Sequence, residues 1–293
     1  MSPKKWTIRE LLTVTTDYLK DKKIDSPRLS AEILLSHQLN TSRVKLYLNY
    51  DQPLNDEEIS GYRSLVRRRV NREPIQYITG IQEFWSLAFD VGPQALIPRP
   101  ESELLVEQVV YLCKENLIER ADPSVLDLGT GCGALAIALA RELQMATFCA
   151  SDISEEALTL ARLNAKKLGV EERIDFRLGD LWEPFEDLAP AFDVILSNPP
   201  YIASEIFDSL PPEVRDHEPR MALDGREGGM YYIEKIISQG QNYLNSGGWL
   251  LLEMDPEQTP RAIGLFEKTT KYTEKRRIKD YAHDYRVVMA RKN

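Results

Sequence analysis

The chain has 293 residues, of which 43% are hydrophobic and 28% charged, a composition typical of folded globular proteins and not of disordered or fibrous ones. Its length allows one large domain or two ordinary ones, each with its own core. The 37 Lys and Arg residues face 46 Asp and Glu, so the net charge is −9. This charge argues against a protein that coats nucleic acid by neutralising phosphates alone.

The cysteine pattern and the hydropathy of the sequence indicate a cellular compartment. Cys113, Cys132 and Cys149 are odd in number and lack CxxC spacing, and the three histidines are scattered, so we expect neither a disulfide framework nor a metal site. The N-terminus is charged throughout, and no run of about 18 apolar residues occurs anywhere. We therefore expect a soluble protein of the reducing cytoplasm, without a membrane partner.

The N-terminal part of the sequence has a helical pattern. Apolar residues recur at helical spacing from residue 8 to about residue 77, which predicts a helical domain over 1–77 with four or five short helices. Ser26 before Pro27, and Asn55, are predicted helix starts.

Charge separates this region from the rest of the chain. Residues 1–80 hold 14 Lys and Arg against 10 Asp and Glu, whereas the remainder is acidic. The densest basic run either contacts an acidic or phosphate-bearing partner or is a solvated helix face, and both interpretations stay open. This run comprises Arg63, Arg67, Arg68, Arg69 and Arg72.

Residues 78–101 are predicted to connect two domains, with a strand pair over 78–91 and a Pro-rich linker at 97–100. From 102 to 293 short apolar strands alternate with helices, which predicts an α/β doubly wound sheet. The predicted strands are 125–128, 146–150, 174–178, 192–197 and 249–253, with two more near 278 and 286–290. The predicted helices are one ending near Glu119, then 134–142, Ser154 to Gly169, 230–245 and one from Pro256.

A glycine-rich turn follows the first of these strands. Glycines at a strand-to-helix turn let the backbone approach a ligand and leave helix N–H groups free to bind it. The spacing is GxGxG and not the GxGxxG of dinucleotide enzymes, and a merely tight turn is the plain alternative. The residues are Gly129, Thr130, Gly131, Cys132 and Gly133.

Acidic residues follow the next two strands. Asp152 lies about 20 residues after the glycines, where a carboxylate can accept both hydroxyls of a ribose, although an Asp at a strand end also serves as a helix cap. Asp180 can accept the amino group of an adenine, with neighbours such as Leu181 and Trp182 flanking the ring.

The most specific motif follows the strand 192–197. Two successive prolines fix two φ angles, remove two donors and bias the preceding residue toward an extended conformation. Backbone carbonyls and an Asn amide can then project into the cleft at the carboxyl end of a central strand, where this architecture binds ligands. The motif is Asn198, Pro199, Pro200 and Tyr201.

These elements together resemble class I S-adenosylmethionine-dependent methyltransferases that modify an amide or amino nitrogen. Further segments resemble the HemK-type release factor glutamine methyltransferases over nearly the whole chain. Those segments are SPRL at 26–29, LVRRR at 65–69, EPIQY at 73–77, EFWSL at 83–87, LIPRPE at 96–101 and EPRMALDG at 218–225.

The resemblance implies methylation of the side-chain amide of the glutamine in the GGQ loop of class I peptide chain release factors, which modulates translation termination. It implies a seven-stranded Rossmann-like domain behind a helical N-terminal domain, and S-adenosylmethionine as cofactor. Nothing in the sequence demands a dimer, so we expect a monomer, and we expect no direct nucleic-acid binding. The resemblance also assigns roles: Gly129 to Gly133 to the methionine part of the cofactor, Asp152 to the ribose, Asp180 and Leu181 to the adenine edge, and Asn198 to Tyr201 to the substrate glutamine.

An amide nitrogen is a poor nucleophile, so acceptors must orient it and oppose the positive charge that grows on it. We expect the Asn198 side-chain oxygen and the Pro199 carbonyl to accept its N–H groups, with Tyr201 packed over the amide. No general base is expected, and His217 is assigned a structural role. Phe84 and Trp85 either line the glutamine entrance or belong to the core.

Four positions depart from the family's pattern. Ser102 stands where Thr is common, Arg226 and Gly228 replace residues of a GGxDG stretch, and Asp255 stands where a glycine is common. None of these positions lies in the four central motifs, so the departures concern the shape of the substrate rim and not the reaction.

Three other functions remain to be compared with this one. An N6-adenine methyltransferase on DNA or RNA uses the same Asn-Pro-Pro-Tyr chemistry but requires base flipping and backbone binding. Gly129, Asp152 and Asn198 are all present, which argues against a scaffold that has lost catalysis. A nicotinamide dehydrogenase would leave the glycine spacing and the Asn-Pro-Pro-Tyr motif unexplained.

Overall fold

The computed structural model describes residues 6–115, 117–118, 120–187 and 191–293. It contains two compact units, one formed by Met1–Ile81 with Pro211–His217 and the other by Gln82–Leu210 with Glu218–Asn293. The charged first five residues and the predicted helix end at Glu119 lie outside the described residues. Within the described ranges, no helix has both the length and the apolar character needed to cross a bilayer.

Helices and strands are numbered in chain order. The helices are α1 (Ile8–Asp21), α2 (Pro27–Gln38), α3 (Arg43–Leu48), α4 (Asp56–Val70), α5 (Ile75–Thr79), α6 (Glu103–Lys114), α7 (Ala134–Glu142), α8 (Glu155–Lys167), α9 (Pro212–Arg215), α10 (Tyr231–Gly240) and α11 (Thr259–Lys268). The strands are β1 (Ile81–Phe84), β2 (Leu87–Asp90), β3 (Ser124–Leu128), β4 (Thr147–Asp152), β5 (Ile174–Leu178), β6 (Phe192–Ser197), β7 (Leu244–Glu253), β8 (Tyr272–Lys279) and β9 (Tyr285–Lys292).

The first unit confirms the predicted helices, five of them before residue 80. Asn55 begins α4 through a capping box, in which its side chain accepts from the Glu58 N–H and Glu58 bonds the Asn55 N–H, each over 2.8 Å. Ser26 does precede α2, but it lies at φ 47° and its side chain makes no cap hydrogen bond. Pro27 therefore begins this helix by fixing φ, without help from a serine cap.

Part of the basic run is neutralised inside this unit. Arg69 and Arg72 both bond the Glu213 carboxylate of α9, over 3.1 and 3.3 Å. Arg68 pairs with Glu73 over 2.5 Å. The remaining two arginines of the run, Arg63 and Arg67, are exposed.

The second unit is built on a seven-stranded sheet of order β5-β4-β3-β6-β7-β9-β8. The strands β3 to β7 are parallel, and β9 lies antiparallel between β7 and β8. This arrangement confirms the predicted α/β architecture with seven strands. The carboxyl ends of β3, β4, β5 and β6 consequently meet at one edge of the sheet.

Both faces of the sheet are apolar, as a doubly wound fold requires. One face, which includes Leu126, Ile195 and Leu250, forms a single buried cluster with residues of α10 and α11 such as Ile236 and Phe266. Successive side chains of a strand point to opposite faces, so the intervening buried residues of these strands face the other side.

Most predicted elements of this unit occur within a few residues of their predicted ends, and β1 with β2 form the predicted strand pair. The exception is 230–245, predicted as one helix. Here α10 ends at Gly240 and β7 already begins at Leu244, which pairs with Phe192. The pairing then shifts register before Trp249, in an irregular stretch where Gly247 takes φ +79°. In the sequence this stretch resembled the end of a helix.

Candidate active site

A pocket of the second unit lies at the carboxyl edge of the parallel strands, and the candidate residues that follow four different strands meet there. Ten of the twelve predicted site residues line it, and only Gly133 and Tyr201 do not. The ten are Gly129, Thr130, Gly131, Cys132, Asp152, Asp180, Leu181, Asn198, Pro199 and Pro200.

The glycine-rich turn joins β3 to α7 and is held by the neighbouring strand. The N–H groups of Gly129 and Thr130 both donate to the Ser151 carbonyl, over 2.8 and 2.9 Å. Gly129 lies at φ +77°, and a Cβ added to it would meet nothing within 4 Å, so the space above the turn is open to a ligand. Gly133 has a packing role instead, because an added Cβ would lie 2.8 Å from Ile137 Cδ1.

Asp152, at the end of β4, organises the turn and lines the pocket. Its carboxylate accepts the Gly131 N–H over 2.8 Å and the Ser154 N–H over 3.0 Å. Burial raises the pKa of this carboxyl, although the backbone donors favour its charged form. Each oxygen keeps a second lone pair, so the carboxylate can still accept ribose hydroxyls.

Asp127 lies just before the turn, and the sequence analysis gave it no role. It is 1% exposed, and its Oδ2 accepts the Thr130 hydroxyl over 2.6 Å and the Ala136 N–H over 3.1 Å. Burial raises its pKa to about 7. The side chain therefore ties the turn to the first turn of α7.

The segment after β5 contributes Gly179, Asp180 and Leu181 to the pocket. The Asp180 N–H donates to the Glu183 carboxylate over 2.9 Å, which fixes the backbone of this turn. Trp182, which the sequence also placed beside the adenine ring, is buried in the core and stacks on Tyr243 at 4.5 Å between ring centroids. It does not line the pocket.

The Asn-Pro-Pro-Tyr motif leaves β6 at a point fixed by the Ser197 hydroxyl, which donates to the Leu128 carbonyl over 2.6 Å. Asn198 Nδ2 donates to Ser102 Oγ over 3.0 Å. Pro199 and Pro200 line the pocket beside Asn198. This bond uses one of the two N–H donors of the Asn198 amino group and fixes the orientation of the amide, and the carbonyl oxygen can accept from a ligand.

Tyr201 differs from the expectation that it packs over a substrate amide. Its hydroxyl donates to Glu253 Oε1 over 3.4 Å, and its ring packs against the core cluster and not along the pocket. Burial raises its pKa above the ordinary range. The Tyr201 carbonyl accepts from Gln258 Nε2 over 2.8 Å, so both ends of this residue are fixed by the strand-end segment 253–258.

The segment 223–229 braces the motif from its other side. The Ile202 N–H donates to the Leu223 carbonyl over 3.0 Å, and the Gly225 N–H donates to the Ile202 carbonyl over 2.8 Å. A Cβ on Gly225 would lie 2.7 Å from the Pro200 carbonyl oxygen, so only glycine allows this approach.

Two of the departures from the family's pattern have visible structural consequences. Arg226 takes φ 65° and ψ −159°, a conformation essentially restricted to glycine. Its backbone is held there, because its N–H donates to Asp224 Oδ1 over 3.0 Å and its carbonyl accepts the Ser204 N–H over 3.1 Å. Asp255 caps the helical turn Pro256–Gln258 and so positions Gln258.

Three further residues named from the sequence lie in different places, and one of them lines the pocket. Phe84 lines the pocket although it is only 1% exposed, whereas the Trp85 indole donates to Glu142 over 2.8 Å and does not line it. His217 belongs to the other unit, where its ring lies 3.2 Å from the Asn71 carbonyl.

Sequence reasoning missed Glu253, which ends β7. It is 1% exposed, contacts the Tyr201 hydroxyl, and burial raises its pKa to about 7. A signal was present, because a carboxylate that directly follows a run of buried apolar strand residues must find partners or become neutral.

Comparisons with known proteins show what the chain is similar to. The family described as PrmC N-terminal domain matches residues 10–80, and the one described as Methyltransferase small domain matches residues 102–209. A release factor glutamine methyltransferase of Geobacter sulfurreducens is 43% identical over 91% of this chain and 90% of that protein. One of Rhodopirellula baltica is 39% identical over 98% of this chain and 97% of that protein.

Solved structures support the fold. A methyltransferase of Pyrococcus furiosus aligns with a TM-score of 0.51 at 19% identity, over 71% of this chain and 89% of that one.

Proposed function

The chain belongs to the family of release factor glutamine methyltransferases, and on that premise we propose that it methylates the side-chain amide nitrogen of the glutamine in the GGQ motif of class I peptide chain release factors. The observation that carries this proposal is the position of Asn198, Pro199 and Pro200. They line the same pocket as the glycine-rich turn and Asp152, so a planar amide and a methyl donor can meet there.

We propose S-adenosylmethionine as the cofactor. The residues present fit it, because the space above Gly129 is open and Asp152 keeps lone pairs for ribose hydroxyls. The methionine part is assigned to Gly129 to Gly133, and the adenine edge to Asp180 and Leu181. When bound, this cofactor supplies a methyl group on a sulfonium that is already activated for transfer.

The chain's own residues then have to orient a weak nucleophile. Asn198 Oδ1 and the Pro199 carbonyl each accept one N–H of the substrate amide, which turns the nitrogen lone pair toward the methyl donor and opposes the charge that grows on it. Positioning of this kind can supply roughly 7 to 11 kcal/mol of barrier reduction in favourable cases. Tyr201 contributes by holding the backbone of the motif, since its hydroxyl and carbonyl are both bonded.

We propose that the helical N-terminal domain binds the release factor away from the GGQ loop. The exposed Arg63 and Arg67 of α4 are the members of the basic run best suited to this contact. Arg68, Arg69 and Arg72 are already paired with Glu73 or Glu213 within their own unit.

A transfer assay with labelled S-adenosylmethionine tests the reaction against its main alternative. Purified class I release factor and undermethylated DNA and RNA are offered in parallel. We expect label in the release factor. Label in nucleic acid alone, with an affinity that falls steeply with salt, would instead favour an N6-adenine methyltransferase.

A further inference from the structure

The Asn198 amide is held by its nitrogen end. Asn198 Nδ2 donates to Ser102 Oγ over 3.0 Å, and no described residue donates to Asn198 Oδ1. A primary amide could bind a hydroxyl by either end, because a hydroxyl can donate or accept. The proposed reaction needs the oxygen end free for the substrate, so something must prevent the Ser102 hydroxyl from donating to Asn198.

The Ser102 hydroxyl can donate one hydrogen bond. It is 4% exposed, so its hydroxyl proton must find a partner within the protein. The Ser102 side chain interacts with the Glu253 carboxyl and favours its charged form. Glu253 Oε2 is buried and has no hydrogen-bond partner among the described residues, which makes it the open acceptor for this proton.

The surroundings of Glu253 come from several elements. Tyr201 donates its hydroxyl to Oε1 over 3.4 Å, and the cation of Arg286 on β9 favours the charged carboxylate. Glu101 opposes the charge by repulsion, and burial opposes it most strongly. The net effect raises the pKa of Glu253 to about 7, so both charge states are accessible near neutrality.

We propose that Glu253 and Ser102 form a positioning relay for Asn198. The Glu253 carboxylate accepts a hydrogen bond from the Ser102 hydroxyl, so Ser102 Oγ can only accept from Asn198 Nδ2, and Asn198 Oδ1 stays turned to the substrate amide. This inference rests on the proposed function, because it assigns Asn198 to the substrate glutamine. Glu253 and Ser102 act through Asn198 and are positioning residues.

Protonation of Glu253 should loosen the relay. A neutral carboxyl can donate to Ser102, whose own proton is then free to point at Asn198. The amide can turn, and the oxygen end is no longer reserved for the substrate. The wild-type turnover rate should therefore fall as the pH is lowered through about 7.

Kinetics of four variants test the relay. Ser102→Ala removes the hydroxyl and should lower kcat about 10-fold to 100-fold, with the KM for S-adenosylmethionine changed less than about 3-fold. Ser102→Thr keeps the hydroxyl and should restore most of the lost rate. Glu253→Gln cannot ionise and can bind the Ser102 hydroxyl by either end of its amide, so its kcat should lie below the wild-type value at pH 8 and should lack the acidic limb near pH 7. Ser36→Ala, a buried serine of α2 in the other unit, is the matched control.

A spectroscopic measurement needs no turnover. The Asn198 side-chain NH₂ resonances, assigned by their loss in Asn198→Ala, should shift with a midpoint near pH 7 in the wild type. That titration should be absent in Glu253→Gln and Ser102→Ala, and present in Ser102→Thr.

The outcomes separate the two proposals. Suppose that the wild-type enzyme methylates the release factor. If Ser102→Ala then keeps the wild-type kcat, or if Glu253→Gln keeps the acidic limb, the relay is overturned and the proposed function stays intact. A wild-type enzyme that transfers nothing overturns the proposed function, and the amide titration still decides whether the relay exists.

Discussion

Arg99 Nη2 donates to Glu218 Oε1 over 2.5 Å, across 119 positions of the chain. The second oxygen of Glu218 accepts the Ile97 N–H over 3.2 Å. The Glu218 side chain is 2% exposed. This carboxylate joins the segments 96–101 and 218–225, both of which contribute residues to the pocket wall, so it holds one side of the candidate site together.

Removing this carboxylate should weaken both the fold and the site. Glu218→Ala leaves the Arg99 guanidinium and the Ile97 N–H without their acceptor, so the free energy of unfolding should fall by about 2 kcal/mol. The KM for release factor should rise as well. Urea denaturation and steady-state kinetics measure the two effects. The control is Glu234→Ala, which breaks the exposed pair with Arg261 and should cost less than about 0.5 kcal/mol. Equal losses in the two variants would contradict the role of Glu218.

Asp152 should determine cofactor affinity. Asp152→Ala removes the acceptor proposed for the ribose and also releases the Gly131 N–H, so the Kd for S-adenosylmethionine should rise roughly 10-fold to 100-fold. Isothermal calorimetry measures this directly. Asp175→Ala, on an exposed carboxylate of β5 paired with Arg177, serves as the control. An unchanged affinity in Asp152→Ala would remove this residue from the ribose site.

Much of the site could be predicted from the sequence because parallel strands place their carboxyl ends at one edge. Once 125–128, 146–150, 174–178 and 192–197 are recognised as strands, the residues that follow them must converge, and ten of the twelve candidates line one pocket.

The contacts that hold those residues could not be predicted in the same way. Ser102 meets Asn198 across 96 positions, and Glu253 meets Tyr201 across 52. Such pairs form through tertiary packing, so no periodic pattern in the sequence indicates them. The same reason explains why Tyr201 and Trp182 were expected beside a ligand and instead pack into the core, since an aromatic ring fits either place.

The backbone of Arg226 is strained, and we expect a glycine at this position to remove the strain. Its ψ of −159° at φ 65° costs of the order of 1–3 kcal/mol for a side chain other than glycine. Arg226→Gly removes that cost. The glycine also makes the unfolded chain more flexible, which destabilises the folded state by about 0.4–1 kcal/mol. Because the strain removed is larger, we expect a net gain in stability and a higher Tm. Arg226→Ala keeps the strain and should show no gain. A Tm that falls in the glycine variant would contradict this account.

Stability should respond to pH through Glu253. Its pKa is raised by burial from 4.5 to about 7 in the folded state, so its favourable contribution is complete below about pH 4.5 and is lost as the pH rises through about 7. Glu253→Gln should therefore gain about 2 to 3 kcal/mol relative to the wild type between pH 5 and pH 8. Urea denaturation at both pH values checks this, with the exposed Glu83→Gln as the control. A constant difference between Glu253→Gln and the wild type at the two pH values would contradict it.

The most direct test of the central claim is peptide mass mapping of a class I release factor after incubation with the enzyme and S-adenosylmethionine. We predict one added methyl group on the glutamine of the GGQ loop, its loss when that glutamine is replaced by alanine, and almost no transfer by Asn198→Ala even though this variant binds the cofactor within a few-fold of the wild type. Methylation at another residue, or full transfer by Asn198→Ala, would contradict the assignment of this pocket to the glutamine amide.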